Sequence, residues 1–203
     1  MSTATGSSFL QREAQLLGQT VVVIGGSAGF GLETARLARD GGAKLVLAAR
    51  NPEALQRAAS ELGAQHSAAF DATDFAQLER FFNDLPARID HVLFTGPGPY
   101  YATLAEFDFD KARRDVEAHL FLPMQVARMA REKVRAGGTL LFMSGTGGRH
   151  TAPGMTLIGA LTAAMPALTK SLASTEEQVN IHLPPCCSQE GAPFAFTPNV
   201  RSR

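Results

Sequence analysis

The sequence predicts a doubly wound, parallel α/β sheet folded as a single domain. Three observations carry that expectation. Short apolar runs alternate with longer stretches of helical period, and such alternation builds parallel βαβ units. The apolar runs show little alternation of polar residues, as strands do when both faces of the sheet are covered. A length of 203 residues with 45% hydrophobic content suits one domain with a sizeable core.

Residues 1–18 read as a loose lead-in, and 19–183 as the domain. TVVVI at 20–24 is rich in β-branched residues and predicts the first strand. Helical period then runs over 29–40 and stops at the DGG of 40–42, where glycine ends helices readily. A second strand follows at 44–48. Pro52 opens a helix over 52–62, where its missing N–H has no partner to lose. A third strand is expected at 67–70. Asp74 is a good helix start for 74–85, because its carboxylate can accept the first free N–H groups. The fourth strand falls at 90–94, a long helix at 109–134 and a fifth strand at 139–144. PGMTLIGALTAAMPALTKSLA supplies another helix, and 178–183 one more strand. Beyond Pro184 the prolines and the lack of period predict an irregular tail over 184–203.

Composition excludes several functions. Lys+Arg and Asp+Glu balance at 19 each, so nothing points to nucleic acid or an anionic membrane. The longest apolar runs are strand-length and too short to span a bilayer. MSTATGSSFLQREAQLL has no basic start followed by an apolar block, so no secretory signal is read. The two cysteines, Cys186 and Cys187, are adjacent and cannot form a disulfide framework, which makes a reducing cytoplasm the expected location. No His or Cys pair stands nearby at ligand spacing, so no metal site is expected.

The stretch IGGSAGFG places Gly25, Gly29 and Gly31 after a strand and at the opening of a helix. Glycine allows a sharp turn, and it lets a pyrophosphate approach the N–H groups at the helix's positive end. The spacing is G-x-x-x-G-x-G. The alternative is a glycine-rich β–α turn that holds no ligand.

At this turn the sequence resembles the short-chain dehydrogenase/reductase family, whose T-G-x-x-x-G-x-G appears from Ile24 to Gly31 with Ile24 in the threonine's place. The resemblance runs from about residue 18 to 175. It implies a Rossmann-type domain in which Gly25, Gly29, Phe30 and Gly31 hold a dinucleotide. In FDATD, Asp71 inherits the contact to the adenine amino group, with Ala72 beside it. Thr95 and Gly96 stand where the family carries N-N-A-G after the fourth strand. NAD-using relatives have an acid at the end of the second strand; here LVLAARNPEAL puts Ala49 there and Arg50 next. A guanidinium would hold the 2′-phosphate of NADP(H), assisted by Ser27 and Asn51. Otherwise Arg50 is an ordinary solvated residue at a helix entry.

The family's catalytic letters are missing. Its Tyr-x-x-x-Lys falls on 158–162, Ile-Gly-Ala-Leu-Thr, and the only tyrosines are Tyr100 and Tyr101, far upstream. Lys170 lies two turns beyond the expected lysine. Ser144 occupies the place of the substrate-binding serine, with Thr146 a second hydroxyl. His119 stands where the family's asparagine would be. The candidates to bind oxygen or move a proton are therefore Ser144, Tyr101 and His119, with His150 in the loop after Ser144. Each has a plainer reading: a strand-ending serine, loop packing, a satisfied buried histidine and an exposed one.

The family usually continues past the sixth strand to a seventh edge strand, which LPPCCSQEG replaces here. The sheet is accordingly expected to lack its last edge strand. The resemblance leaves room for a homodimer through the long helices, while the departure from the family's pattern where subunits usually associate makes a stable tetramer unexpected. It implies an NADP(H)-dependent oxidoreductase acting on a small carbonyl or alcohol, or else a nucleotide-binding protein without chemistry.

Overall fold

Six apolar segments pair into one sheet. They are β1 Thr20–Ile24, β2 Lys44–Ala49, β3 His66–Ala69, β4 Ile89–Phe94, β5 Val134–Phe142 and β6 Asn180–His182, in the order β3-β2-β1-β4-β5-β6 and parallel throughout. The computed structural model describes residues 15–86, 88–150, 152–176 and 178–183. The tail expected at 184–203 and most of the lead-in lie outside these. Among the described residues β6 is an edge strand and no seventh strand follows.

The helices are α1 Gly29–Asp40, α2 Pro52–Leu62, α3 Phe75–Asp84, α4 Phe109–Val116, α5 Leu122–Lys133 and α6 Thr156–Thr175. Alternate strand residues feed opposite faces, because side chains along a strand point to alternate sides. Val22, Val92, Leu140 and Phe142 meet Leu78 and Phe82 of α3, Val126 of α5 and Met165 of α6. Val21, Val23, Leu45 and Leu47 meet Ala35 of α1 and Leu55 and Leu62 of α2. The second face carries only two of these helices, and over β5 its Leu141 and Met143 are merely half-buried among the described residues.

Three expectations need correction. The helix expected over 109–134 contains a π-helical turn at Glu117–Phe121, in which the Leu122 N–H donates to the Glu117 carbonyl five residues back. The cause is visible in the sequence. Pro123 has no N–H for the carbonyl four residues earlier, and its ring would clash with that carbonyl in a regular helix. A wider turn just before it relieves both problems. Secondly, β5 begins at Val134 rather than at 139, because VRAGG at 134–138, which reads as a loop, is carried past β4 in a bulge, where Ile89 faces Val134 but His91 faces Thr139. Gly138 belongs there, since a Cβ on it would lie 2.5 Å from the Asp90 carbonyl oxygen. Thirdly, α6 has 20 residues and an 18-residue window of mean hydropathy 1.2, long and apolar enough by length and composition to cross a membrane. In this fold its Ile158, Leu161 and Met165 are buried. Smaller shifts move β3 to 66–69 and shorten the last strand to 180–182.

Asp90 of β4 ties its two neighbours together. It accepts the Thr20 N–H at 2.7 Å and pairs with Arg135 of β5. Burial works to raise its pKa, but the Arg135 guanidinium and the Thr20 amide outweigh burial and hold the carboxyl below its ordinary value. The folded value lies below the unfolded one, so this stabilisation is complete above the unfolded pKa and is lost as pH falls through the folded pKa. Asp90→Asn is expected to lower stability by about 1–2 kcal/mol at neutral pH, with the gap closing as the carboxyl protonates. Urea titrations at several pH values check this; matching stability at neutral pH would refute it.

Candidate active site

The C-terminal edge of the sheet, where doubly wound folds hold their ligands, is built around the glycine turn. Gly25 leaves β1 at φ 94°, with its N–H and that of Gly26 donating to the Ala48 carbonyl at 2.7 and 3.1 Å. A Cβ on Gly25 would lie 2.0 Å from Thr95 Oγ1, and one on Gly31 only 2.2 Å from the Gly25 carbonyl oxygen. Strand, turn and helix therefore approach as closely as backbones can. The N-termini of α2, α3 and α4 are capped by the side chains of Asn51, Asp74 and Asp108. At α1 the cap position is Ala28, no side chain caps, and the first turn holds no acid. The first N–H groups of α1 are thus available to an anion, in the field of the helix dipole. Ser27 is half-buried beside them, and Phe30 is 66% exposed at the helix opening.

The predicted nucleotide ligands fall on the same edge, several with duties of their own. Arg50 is exposed directly after β2 and has no ion pair among the described residues. Asn51 spends its side-chain oxygen on the Ala54 N–H at 2.9 Å. Asp71 Oδ1 accepts the Thr73 N–H at 3.0 Å and the Thr73 hydroxyl at 2.8 Å, a local turn that fixes the carboxylate. Ala72 packs against the core beside it. The Thr95 hydroxyl donates to the Ile24 carbonyl at 3.3 Å, so Thr95 buttresses the glycine turn. Gly96 follows at φ 69°.

The two positions where the family carries its tyrosine and lysine are apolar and spent here. Ile158 is buried, and the Thr162 hydroxyl donates back to the Ile158 and Gly159 carbonyls at 2.8 and 3.1 Å. Ser144 follows β5 and borders a cavity of about 540 Å³ with Gly145, Thr162, Thr169 and Lys170. Lys170, two turns from the family position by sequence, thus shares a cavity with the serine. Tyr101 is 59% exposed, whereas Tyr100 accepts the Asp108 N–H on its hydroxyl at 2.9 Å and packs its ring on Phe107. The Ala102 N–H donates to the Gly154 carbonyl at 3.0 Å, which joins the Tyr101 loop to the loop after Ser144. His150 is exposed.

His119 lies in the π turn, with Nδ1 3.1 Å from Asp115 Oδ1 and 3.0 Å from the Asp115 carbonyl oxygen. Asp115 is 6% exposed and also receives the Tyr100 N–H at 3.3 Å. Sequence reasoning missed Asp115. Its signal was the i, i+4 spacing to His119 on one helix face.

A family model described as short chain dehydrogenase matches residues 19–189. Among curated proteins the chain is similar to the short-chain dehydrogenase/reductase ATR9 of Stachybotrys chlorohalonatus, 25% identical over 171 residues, or 77% of this chain and 68% of that protein. It is 27% identical to the short-chain dehydrogenase/reductase fsr5 of Gibberella fujikuroi over 66% of this chain, spanning 57% of that relative's length. Among solved structures, BdcA in complex with NADPH matches with a TM-score of 0.76 at 21% identity, over 83% of this chain and 70% of that one. An enoyl-(acyl-carrier-protein) reductase of Anaplasma phagocytophilum in complex with NAD gives 0.77 at 18% identity, over 84% and 71%. At such identities the solved structures bear on the fold, and the family model bears on descent across most of the chain. The chain belongs to the short-chain dehydrogenase family.

Proposed function

We propose that the protein is an NADP(H)-dependent oxidoreductase that moves a hydride between nicotinamide and a small carbonyl or alcohol. The observation that carries this reading is the uncapped start of α1 over a turn where a Cβ on Gly31 would lie 2.2 Å from the Gly25 carbonyl oxygen. That geometry suits a pyrophosphate and leaves no room for side chains. Membership in the short-chain dehydrogenase family supports a nicotinamide cofactor. The neighbours hold either form, NADPH in BdcA and NAD in the Anaplasma reductase, so the preference rests on Arg50. An exposed guanidinium with no acidic partner among the described residues attracts the 2′-phosphate, and a carboxylate at the same place would repel it.

Arg50→Asp is therefore expected to lower the NADPH-to-NADH affinity ratio by about ten- to a hundredfold. Titration followed by the fluorescence of the reduced nicotinamide reads both affinities, and an unchanged ratio would sink the assignment. Ser144 is proposed to bind the substrate oxygen, with Tyr101 or His119 supplying the proton. A second reading, a nucleotide-binding protein without turnover, is favoured by buried Ile158 and by the spent Thr162 hydroxyl. Carbonyl substrates offered with NADPH decide between the two: bound cofactor without turnover of any of them selects the second.

A further inference from the structure

The loss of the family's tyrosine leaves open where a proton would come from, and the hydrogen bonding around His119 narrows the answer. Both atoms within reach of its Nδ1 are acceptors only, a carboxylate oxygen at 3.1 Å and a main-chain carbonyl oxygen at 3.0 Å. Nδ1 must therefore carry a hydrogen in every protonation state. The neutral ring then has its lone pair on Nε2, and only Nε2 gains or loses a proton. The carboxylate that imposes this is held in turn. Asp115 is buried, one oxygen accepts the Tyr100 N–H, and the other has no partner among the described residues. A buried carboxylate held in this way fixes the orientation of the imidazole beside it.

Position supports the same role. Tyr100 belongs to the loop after β4, so its bond to Asp115 sets the pair at the ligand edge of the sheet. The π turn carrying His119 packs against α6, the helix on which the family's tyrosine and lysine would lie. Such turns commonly re-aim side chains at functional sites. The charged groups on the elements packed against the turn are Asp110, Lys111, Arg113, Arg114 and Asp115 on α4, Glu117 in the turn itself, Arg128, Arg131, Glu132 and Lys133 on α5, and Lys170, the only charged residue of α6.

We infer that Asp115 is the positioning residue for His119, and that Nε2 of His119 delivers the proton to the substrate oxygen in place of the missing tyrosine. The inference rests on the oxidoreductase reading above. As the carbonyl carbon accepts the hydride, its oxygen takes the Nε2 proton; the neutral imidazole regains one from water, and the alcohol leaves. The reverse reaction needs the neutral ring as base. Carbonyl reduction draws on the protonated ring and alcohol oxidation on the neutral one, so the two directions should respond oppositely to pH.

The test uses the full chain and its His119→Gln and Asp115→Asn variants. Imidazole ¹⁵N spectra of the wild type are expected to show the Nδ1–H tautomer, and Asp115→Asn to release that preference. With NADPH and a panel of small ketones and aldehydes, His119→Gln is expected to lower kcat by about 10²–10⁴. Cofactor affinity should be unchanged and the histidine limb of the pH profile lost. Asp115→Asn should lower kcat less and shift that limb without removing it. An Nε2–H tautomer in the wild type, or wild-type kcat in His119→Gln, overturns the proposal and leaves the oxidoreductase reading standing. A chain that binds NADPH and reduces no carbonyl overturns both.

Discussion

Gly31→Ala is expected to lower NADPH affinity by about a hundredfold or more, equivalent to roughly 2.7 kcal/mol, and to destabilise the fold by about 1–3 kcal/mol. Gly31 is helical and has no need of glycine's freedom; what it lacks is room. Its added Cβ would sit 2.2 Å from the Gly25 carbonyl oxygen and 3.3 Å from Thr95 Cγ2. Neither neighbour is the end of a flexible side chain free to swing aside. The turn itself must shift, and Gly25, with φ 94° and Thr95 Oγ1 against it, has nowhere to go. Displacing the turn re-aims the N–H groups of α1 that a pyrophosphate would use. Gly29→Ala is the informative partner. Its φ of 53° strains any other residue, but no atom lies within 4 Å of the added Cβ. It should cost about 1–2 kcal/mol of backbone strain and leave the turn in place. Nicotinamide fluorescence titration and thermal melts of both variants separate strain from steric closure. Wild-type NADPH affinity in Gly31→Ala would refute the cradle.

Phe142→Ala is expected to cost about 3–5 kcal/mol. Phe142 ends β5 with 0% exposure, sits edge-on to Phe94 at 6.3 Å between ring centroids, and belongs to the cluster under α3, α5 and α6. Removing the ring loses its burial and leaves a cavity that the surrounding strands cannot close. Against the 5–15 kcal/mol typical of a whole domain, this leaves little. It also loosens the strand end that presents Ser144. By contrast Phe109→Ala, at a residue 68% exposed, should lie within about 0.5 kcal/mol of wild type. Urea denaturation of the two gives the comparison, and a loss below about 1 kcal/mol for Phe142→Ala would contradict the packing described.

The strands and most helices were legible because each rests on local pattern. Val21 to Ile24 and Leu45 to Ala48 are apolar without alternation, as strands covered on both sides must be. Asp74 was legible as a helix start because capping needs only the next three residues, and Asn51 and Asp108, not read as caps, do the same for α2 and α4. The β5 bulge was not legible, since glycine and arginine in Arg135 to Gly138 read as a loop unless Asp90 and Gln178 are known to face them. The π turn was half-legible: Pro123 announces a disturbance but not its form.

The same division holds at the candidate site. By itself the sequence determined the glycine turn, the Arg50 that follows β2, and the absence of a tyrosine and a lysine at 158 and 162, because these depend on residue type and spacing along one chain. Only the tertiary structure decided that the Thr95 hydroxyl is spent on the Ile24 carbonyl, 71 residues away in the chain. It alone joined Asp115 to both His119 and Tyr100. A hydrogen bond depends on where two groups end up in space, and a buried polar atom takes whichever partner the packed elements bring to it.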